Sequence, residues 1–264
     1  MKYAFMSFSC PELTLEQMMQ TARRFGYDGI EPRLDAEHKH GIEVSADAAA
    51  RKQFKKAAAK DVPICCLATS CCFADPGAVA KQVEDAHARL DLAGEVGAPR
   101  IRVFGGVIPE GVSREQAVEC VVGAFRSLAG HAKKRKVVLC METHDSWCDP
   151  AHVADVMRRV GHPAVGVNWD IMHPVRSAHV TMEHAFEMLK PWIKHIHFHD
   201  GSADPQAFKL VPVGEGAIDH RTAVRLLKAA SYDGYLSGEW IGWEPWEVHL
   251  PRELAVMKRY EQEA

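Results

Sequence analysis

The segment Lys194-His195-Ile196-His197-Phe198-His199-Asp200 places an imidazole at every second position and ends in a carboxylate. Successive side chains of a β-strand point to opposite faces, so His195, His197 and His199 share one face while Ile196 and Phe198 share the other. The segment reads as a strand with apolar packing on one side and chemistry on the other. Neutral imidazole is the commonest nitrogen ligand of metals, so a histidine-bearing face beside carboxylates is the material of a metal site. The carboxylates have to come from neighbouring strands.

Working outward, Ala164 to Trp169 reads as the strand before this one and Tyr235 to Glu239 as the strand after it. Helical patterns at about Ala178 to Leu189 and Asp219 to Ala230 separate the three. Earlier strands are expected over Lys2 to Phe8, Asp28 to Arg33, Val62 to Thr69, Arg100 to Phe104 and Val137 to Met141. Between them, Thr14-Leu15-Glu16-Gln17 is a capping box opening a helix that Gly26 closes, and Ser113-Arg114-Glu115-Gln116 opens another that reaches about Lys134. Ala46 to Lys60, Pro76 to Gly97 and Pro150 to Val160 are helical, and Arg252 to Tyr260 closes the chain. Eight strands thus alternate with eight helices, which implies parallel strands joined by right-handed crossovers. That is an α/β protein of the (β/α)8 TIM-barrel type. An open doubly wound sheet would want a glycine-rich phosphate loop after the first strand, and Ser7-Phe8-Ser9-Cys10-Pro11 has none.

Composition agrees with a single domain over residues 1–264, being 47% hydrophobic with no compositional break. A net charge of −3 gives no positive field for a polyanion, so nucleic acid is not an expected partner. Met1 to Cys10 lacks the order of a signal peptide and nothing approaches a membrane span, so a soluble cytoplasmic protein is expected. None of the eight cysteines forms a CxxC pair, and they read as reduced, buried thiols.

In a barrel of this kind the active site lies where strands end and βα loops begin. The last four strands finish with Glu142-Thr143-His144, Asn168-Trp169-Asp170, His197-Phe198-His199 and Gly238-Glu239-Trp240, each ending in a metal-binding type. Parity gives them a common inward direction: Val138, Cys140, Glu142 and His144 alternate with Val137, Leu139 and Met141. One such acid alone would pass as a helix cap, whereas four together point to a shared site.

These residues carry a family resemblance that spans nearly the whole chain. The Met141-Glu142-Thr143-His144 ending, the spacing of Asp170 and His173, the pattern His195-x-His197-x-x-Asp200, the segment Pro212 to Asp219 and the Gly238-Glu239-Trp240 ending resemble the xylose isomerase-like barrels of the sugar phosphate isomerase/epimerase superfamily. That superfamily includes ketose 3-epimerases, hydroxypyruvate isomerase, inosose dehydratase and endonuclease IV. The resemblance implies that Glu142, Asp170, His197 and Glu239 bind one divalent cation, and it selects His197 where parity leaves three histidines open. It places His195 deeper in the barrel, His199 nearer the substrate, and His173 over the metal as a substrate-contacting or proton-handling group. Three carboxylates and one imidazole suit Mn²⁺ first, with Mg²⁺, Co²⁺ and Zn²⁺ as alternatives.

The activity the resemblance implies is that of a metal-dependent isomerase or epimerase of a ketose or related keto-sugar, removing a proton beside a metal-bound carbonyl through an enediolate. Glu142 and Glu239, flanking the substrate, would be the acid–base pair together with His173. A dehydratase of a keto-polyol, of the inosose or dehydroshikimate type, shares the same first step and is the alternative. A non-catalytic sugar-binding barrel and an endonuclease IV-like phosphodiesterase stand behind these. The third and fourth strand ends, Ala68 to Cys72 and Phe104 to Gly106, lack the further histidines of the nuclease, and Gly201 to Pro205 lacks the arginine of the epimerases.

His144, His199, Lys209 and Trp240 are the expected substrate contacts, with Trp147, Trp243, Trp246 and Phe8 as further candidates for an apolar wall. A plain surface position is the alternative for Lys209. Glu31, Arg33 and Arg102 are expected to form an interior ion-pair network. The resemblance implies a small sugar or keto-polyol as the partner, with no membrane partner expected and a homo-oligomer as an expectation.

Overall fold

The computed structural model describes residues 1–204 and 207–264. Its strands are β1 (Lys2–Met6), β2 (Gly29–Glu31), β3 (Leu67–Cys72), β4 (Arg100–Phe104), β5 (Val138–Glu142), β6 (Val165–Asp170), β7 (Ile193–Phe198), β8 (Asp200–Gly201), β9 (Leu210–Val211) and β10 (Tyr235–Gly238). Eight of them form one parallel sheet in the order β2-β1-β10-β7-β6-β5-β4-β3. Parallel bridges Ile30 to Ile64 and Arg33 to Ala68 join β2 to the chain entering β3, closing the sheet into the expected barrel. Closure leaves the eight-stranded barrel sheet without an open edge.

The helices are α1 (Leu15–Phe25), α2 (Ala48–Lys60), α3 (Val79–Val96), α4 (Arg114–Arg135), α5 (Pro150–Val160), α6 (Met172–Ala178), α7 (Met182–Leu189), α8 (His220–Ala229) and α9 (Trp246–Glu263). Both capping boxes form: Thr14 with Gln17 starts α1, and Ser113 with Gln116 starts α4. Gly26 ends α1 in the left-handed conformation. None of the described helices is long and apolar enough to cross a membrane.

Three expectations need correction. The sixth crossover contains two helices, because His179 turns left-handed after α6 and Thr181 caps a new start by accepting from the His184 amide. The last helix begins at Trp246, ahead of Arg252, and carries Pro251 inside it. A proline is disfavoured in a helix interior, so the sequence pattern reads as a later start. Finally, β8 and β9 form a short antiparallel ribbon after β7 that has no periodic signature.

The outward strand faces pack on the helices through Ile101, Val103, Leu139, Met141, Val167, Trp169, Ile196 and Phe198, all fully buried. The inward faces are unusually polar. Glu31, Arg102, Glu142, Asn168, His195, His197 and Ser237 are all buried there or at the strand ends. Buried polar groups are costly unless they satisfy one another, so this interior has to be an interlocking network. The eight cysteines are unpaired, and six are buried.

A register irregularity sets the site. Val167 pairs with Ile193, yet Asn168 pairs with His195 and Asp170 with His197, so β7 carries one extra residue at this point. The extra residue is Lys194, and Gly166 makes room for it: a Cβ there would lie 2.4 Å from Lys194 Cγ and 2.8 Å from the Trp192 carbonyl. Without the bulge, Asp170 would face Ile196. With it, carboxylate and imidazole share one level of the barrel.

Candidate metal centre and cleft

Glu142 ends β5, Asp170 ends β6, His197 lies on β7 and Glu239 follows β10. One donor atom from each of these four buried residues lies within 4.8 Å of the other three. His197 Nδ1 is 2.5 Å from Glu142 Oε1 and 3.4 Å from Glu239 Oε2. Its other nitrogen, Nε2, is 3.1 Å from Glu31 Oε1, while Glu31 Oε2 is 2.7 Å from His195 Nε2. Asn168 donates to Glu142 Oε1 at 2.8 Å. Arg102 lies 3.4 Å from Glu142 and 3.8 Å from Glu239, bringing the one guanidinium of this network against both carboxylates.

The electrostatics follow. Despite full burial, the two histidines hold the Glu31 carboxyl well below the ordinary carboxylate range. Burial pushes His195 down against the pull of Glu31, which keeps its imidazole neutral. Burial opposes charge on His197 too, but Glu31 and Glu142 together hold it well above its ordinary value. Glu239, despite burial, is lowered to about 2 by His197 and Arg102. Asp170 is likewise lowered by His199 and His173 in spite of burial.

Glu142 Oε2, Asp170 Oδ2, His197 Nδ1 and His199 Nε2 are buried here and are held by ion-pair contacts among these side chains and with Arg102. Three carboxylates and one imidazole with converging donor atoms fit a divalent cation held by Glu142, Asp170, His197 and Glu239.

Beside this centre opens a cleft of about 220 Å³ lined by His144, Met172, His173, His199, Phe208, Leu210, Glu239 and Ile241. Glu239 therefore belongs both to the donor set and to the cleft wall. Three imidazoles crowd the opening: the His173 ring centroid is 4.4 Å from that of His144 and 5.8 Å from that of His199. His144 Nδ1 pairs with Asp145 at 2.9 Å, and that contact raises its pKa against the effect of burial. Burial lowers His173. His199 donates from Nδ1 to the Glu239 carbonyl at 3.0 Å and, in spite of burial, is raised to about 9 by Asp170, whose Oδ2 is 3.2 Å from Nε2.

The remaining expected contacts fall elsewhere. Trp240 is a correction: it is fully buried, stacked edge-on against Phe198 and packed on His249, and does not line the cleft. Its ring folds back over Gly238, where a Cβ would lie 2.0 Å from it, so only glycine admits this packing. Trp147 is likewise buried, donating to the Gly106 carbonyl; Trp243 packs on His249 and Arg252, Trp246 bonds Glu12, and Phe8 packs on His38. Lys209 is exposed and outside the cleft lining, although its neighbours Phe208 and Leu210 belong to it. The expected Glu31, Arg33 and Arg102 network is also different. Glu31 pairs with histidines, Arg102 with the centre's carboxylates, and Arg33 bonds Ser70 and the Ala68 carbonyl.

Phe208 and Ile241, both well exposed at the cleft, went unnoticed in the sequence because isolated apolar loop residues carry no periodic signal. Asp200, the last member of the histidine-rich motif, accepts from the amides of Gly201, Gly214, Gly216 and Ile218 and so fastens the Pro212 to Asp219 segment beside the site.

Comparison with known proteins agrees with this architecture. Residues 19–260 match the family model described as xylose isomerase-like TIM barrel. The chain is 22% identical over 276 residues to a 3-dehydroshikimate dehydratase of Bacillus anthracis, covering 97% of this chain and 96% of that one. Among solved structures it is similar to D-psicose 3-epimerase crystallised with D-fructose, with a TM-score of 0.81, 16% identity and 99% of each chain covered. It is also similar to a xylose isomerase-like TIM barrel protein of Mycobacterium smegmatis in complex with magnesium, with a TM-score of 0.72, 19% identity and coverage of 99% of this chain and 97% of that one. By the extent of its family match, this chain belongs to the xylose isomerase-like TIM barrel family.

Proposed function

We propose that this protein is a divalent-metal-dependent isomerase or epimerase that removes a proton from the carbon beside the carbonyl of a small polyhydroxylated ketone. The observation carrying this reading is that four metal-binding side chains converge at the edge of a cleft, and one of them, Glu239, also lines it. A cation held by Glu142, Asp170, His197 and Glu239 would supply Lewis acidity toward the substrate carbonyl, worth several kcal/mol in this kind of chemistry.

The protein's own groups supply the rest. Glu239 presents a carboxylate to the cleft and serves as the base, while Glu142, arriving from β5 and like Glu239 close to His197 Nδ1, serves as its counterpart. Arg102 lies within ion-pair reach of both and offsets their negative charge. His144 and His173 stand over the cleft where substrate hydroxyls would lie. Phe208 and Ile241 give the opening apolar walls that reduce access of water.

A second reading, dehydration by loss of a β-hydroxyl after the same proton abstraction, is favoured by the cluster of imidazoles. His144, His173 and His199 all line the cleft, offering a proton donor for a departing hydroxyl. The full-length similarity to a protein named 3-dehydroshikimate dehydratase supports it further.

Solvent-deuterium exchange tests both. The Mg²⁺- and Mn²⁺-loaded protein is incubated in D₂O with ketoses, inososes, hydroxypyruvate and 3-dehydroshikimate, and the products are read by NMR after protein and metal are removed. Deuterium beside a carbonyl, lost on chelation, is the expected result, and the product separates epimer, isomer and alkene. Exchange that persists after complete metal removal contradicts the reading.

A further inference from the structure

Arg33 and Arg102 stand at one level of the barrel with only Ala68 between them. Ala68 pairs in register with Arg102 on one side and forms a parallel bridge with Arg33 on the other. Residues paired in this way point to the same face of a sheet, and Arg102 points inward to Glu142 and Glu239, so both arginines project into the mouth of the barrel. We propose that Arg33 is the substrate-specificity residue of this site and that, with the Ser70 hydroxyl, it binds a carboxylate carried by the substrate away from its carbonyl. The inference rests on the reading of Glu142, Asp170, His197 and Glu239 as the metal centre, and it narrows the polyhydroxylated ketone to a keto acid.

The two guanidiniums differ in their partners. Arg102 is fully buried, lies against both carboxylates, donates to the Thr69 carbonyl at 2.8 Å and stacks on the Phe104 ring at 4.1 Å. Its charge is offset where it stands. The Arg33 side chain is only 13% exposed, yet it bonds uncharged groups: the carbonyls of Leu34 and Ala68, and Ser70 Oγ at 2.6 Å. The one carboxylate within ion-pair reach of it among the described residues, Asp35, is 4.0 Å away and accepts two bonds from Arg89, at 2.8 and 3.2 Å. Burial and the Arg102 charge accordingly push the Arg33 pKa down against the pull of Asp35, Glu239 and Glu43. A largely desolvated charge without a close counter-ion is costly, and an anion brought by a ligand removes that cost.

The chemistry of these groups selects a carboxylate. A guanidinium presents parallel N–H donors that match its two oxygens, whereas the hydroxyls of a plain ketose gain only ordinary hydrogen bonds. Ser70 Oγ accepts from Arg33, which leaves its own O–H to donate to the same anion. A phosphate, with more oxygens and up to two charges, would call for more donors than one fork and one hydroxyl. Two strand spacings, about 10 Å, separate residues 33 and 102 along the rim. A substrate whose carbonyl is held at the metal centre therefore meets Arg33 several carbons further along its skeleton.

Isothermal titration of the Mn²⁺-loaded protein with matched ligands tests the proposal without reference to turnover. D-fructuronate, D-fructose and D-fructose 6-phosphate share the ketone of the fructose skeleton and differ at its far end, and 3-dehydroshikimate is compared with its methyl ester. Each carboxylate is expected to bind about 10- to 100-fold more tightly than its neutral partner. Arg33→Met, checked for native circular dichroism, is expected to erase that preference while still binding Mn²⁺. Arg33→Lys, which keeps the charge but not the fork, is expected to retain part of it. Equal affinity for acid and neutral partner in the wild type, or a preference that survives in Arg33→Met, overturns the assignment. Tighter binding of D-fructose 6-phosphate than of D-fructuronate overturns the carboxylate. If none of the ligands binds although Mn²⁺ does, the subsite is overturned and the metal centre stands, whereas a wild-type chain that binds no Mn²⁺ overturns the centre itself.

Discussion

His197 Nε2 lies 3.1 Å from Glu31 Oε1, across 166 residues of chain, and this contact turns its Nδ1 toward Glu142 and Glu239. An ionised carboxylate only accepts, so Glu31 holds the Nε2 proton and fixes the ring with Nδ1, the atom whose proton a cation would displace, facing Glu142 and Glu239. Glu31 is thus a positioning residue for the centre. Replacing it with glutamine removes the charge that orients both His195 and His197. Glu31→Gln is expected to weaken metal affinity by about 10–100-fold, as losses of such outer partners generally do. Isothermal titration with Mn²⁺ measures it; unchanged affinity in a folded variant would deny Glu31 this role.

Glu142 and Glu239 are assigned both ligand and proton-transfer roles, and glutamine preserves their shape while removing basicity. Glu142→Gln and Glu239→Gln are each expected to lower turnover by about 10²–10⁴-fold. Both are expected to keep the native circular dichroism of the barrel. Near-normal turnover by either variant on the substrate found by deuterium exchange contradicts its assignment.

How far the sequence discloses this site depends on the range of the interactions involved. Strand and helix alternation is local, so the barrel is legible from Lys2 to Tyr260, and strand ends at Glu142, Asp170 and Glu239 mark one rim. The bulge at Lys194 is not legible, because it arises from the pairing of β6 with β7 and from the space left by Gly166. Nor is the pairing of Glu31 with His195 and His197, which depends on barrel closure. Trp240 misleads for a related reason: its neighbour Glu239 faces the cleft, whereas its own ring turns over Gly238 into the core, a choice made by tertiary packing.

Asp200 shows what the final acid of the histidine-rich motif does. Its carboxylate accepts from the amides of Gly201 at 2.8 Å, Gly214 at 2.9 Å, Gly216 at 3.1 Å and Ile218 at 3.2 Å. Asp200→Ala strands these donors and is expected to destabilise the fold by about 3–5 kcal/mol. Asn helps little, since its amide group would present donors to donors. Denaturant midpoints measure the loss, and hydrogen exchange should locate it in the amides of Gly214, Gly216 and Ile218. A loss below about 1 kcal/mol would contradict this account.

His40 gives the fold a sensitivity to acid that is separable from the metal centre. Its Nε2–H donates to the Arg33 carbonyl at 3.1 Å while its Nδ1 accepts from the Ile42 amide at 3.0 Å, an arrangement only the neutral ring satisfies. Burial lowers its pKa from 6.5 to about 4. The unfolded chain therefore binds this proton more readily than the folded one, so the contribution to stability is fully present above about pH 6.5 and is lost as pH falls toward 4. The shift corresponds to a loss on the order of 3 kcal/mol across that window. His40→Gln, which does not titrate, is expected to be less stable at pH 7 but to show a shallower decline between pH 7 and 4. Urea unfolding of both proteins at several pH values makes the comparison, and parallel pH profiles would show that other groups govern the acid response.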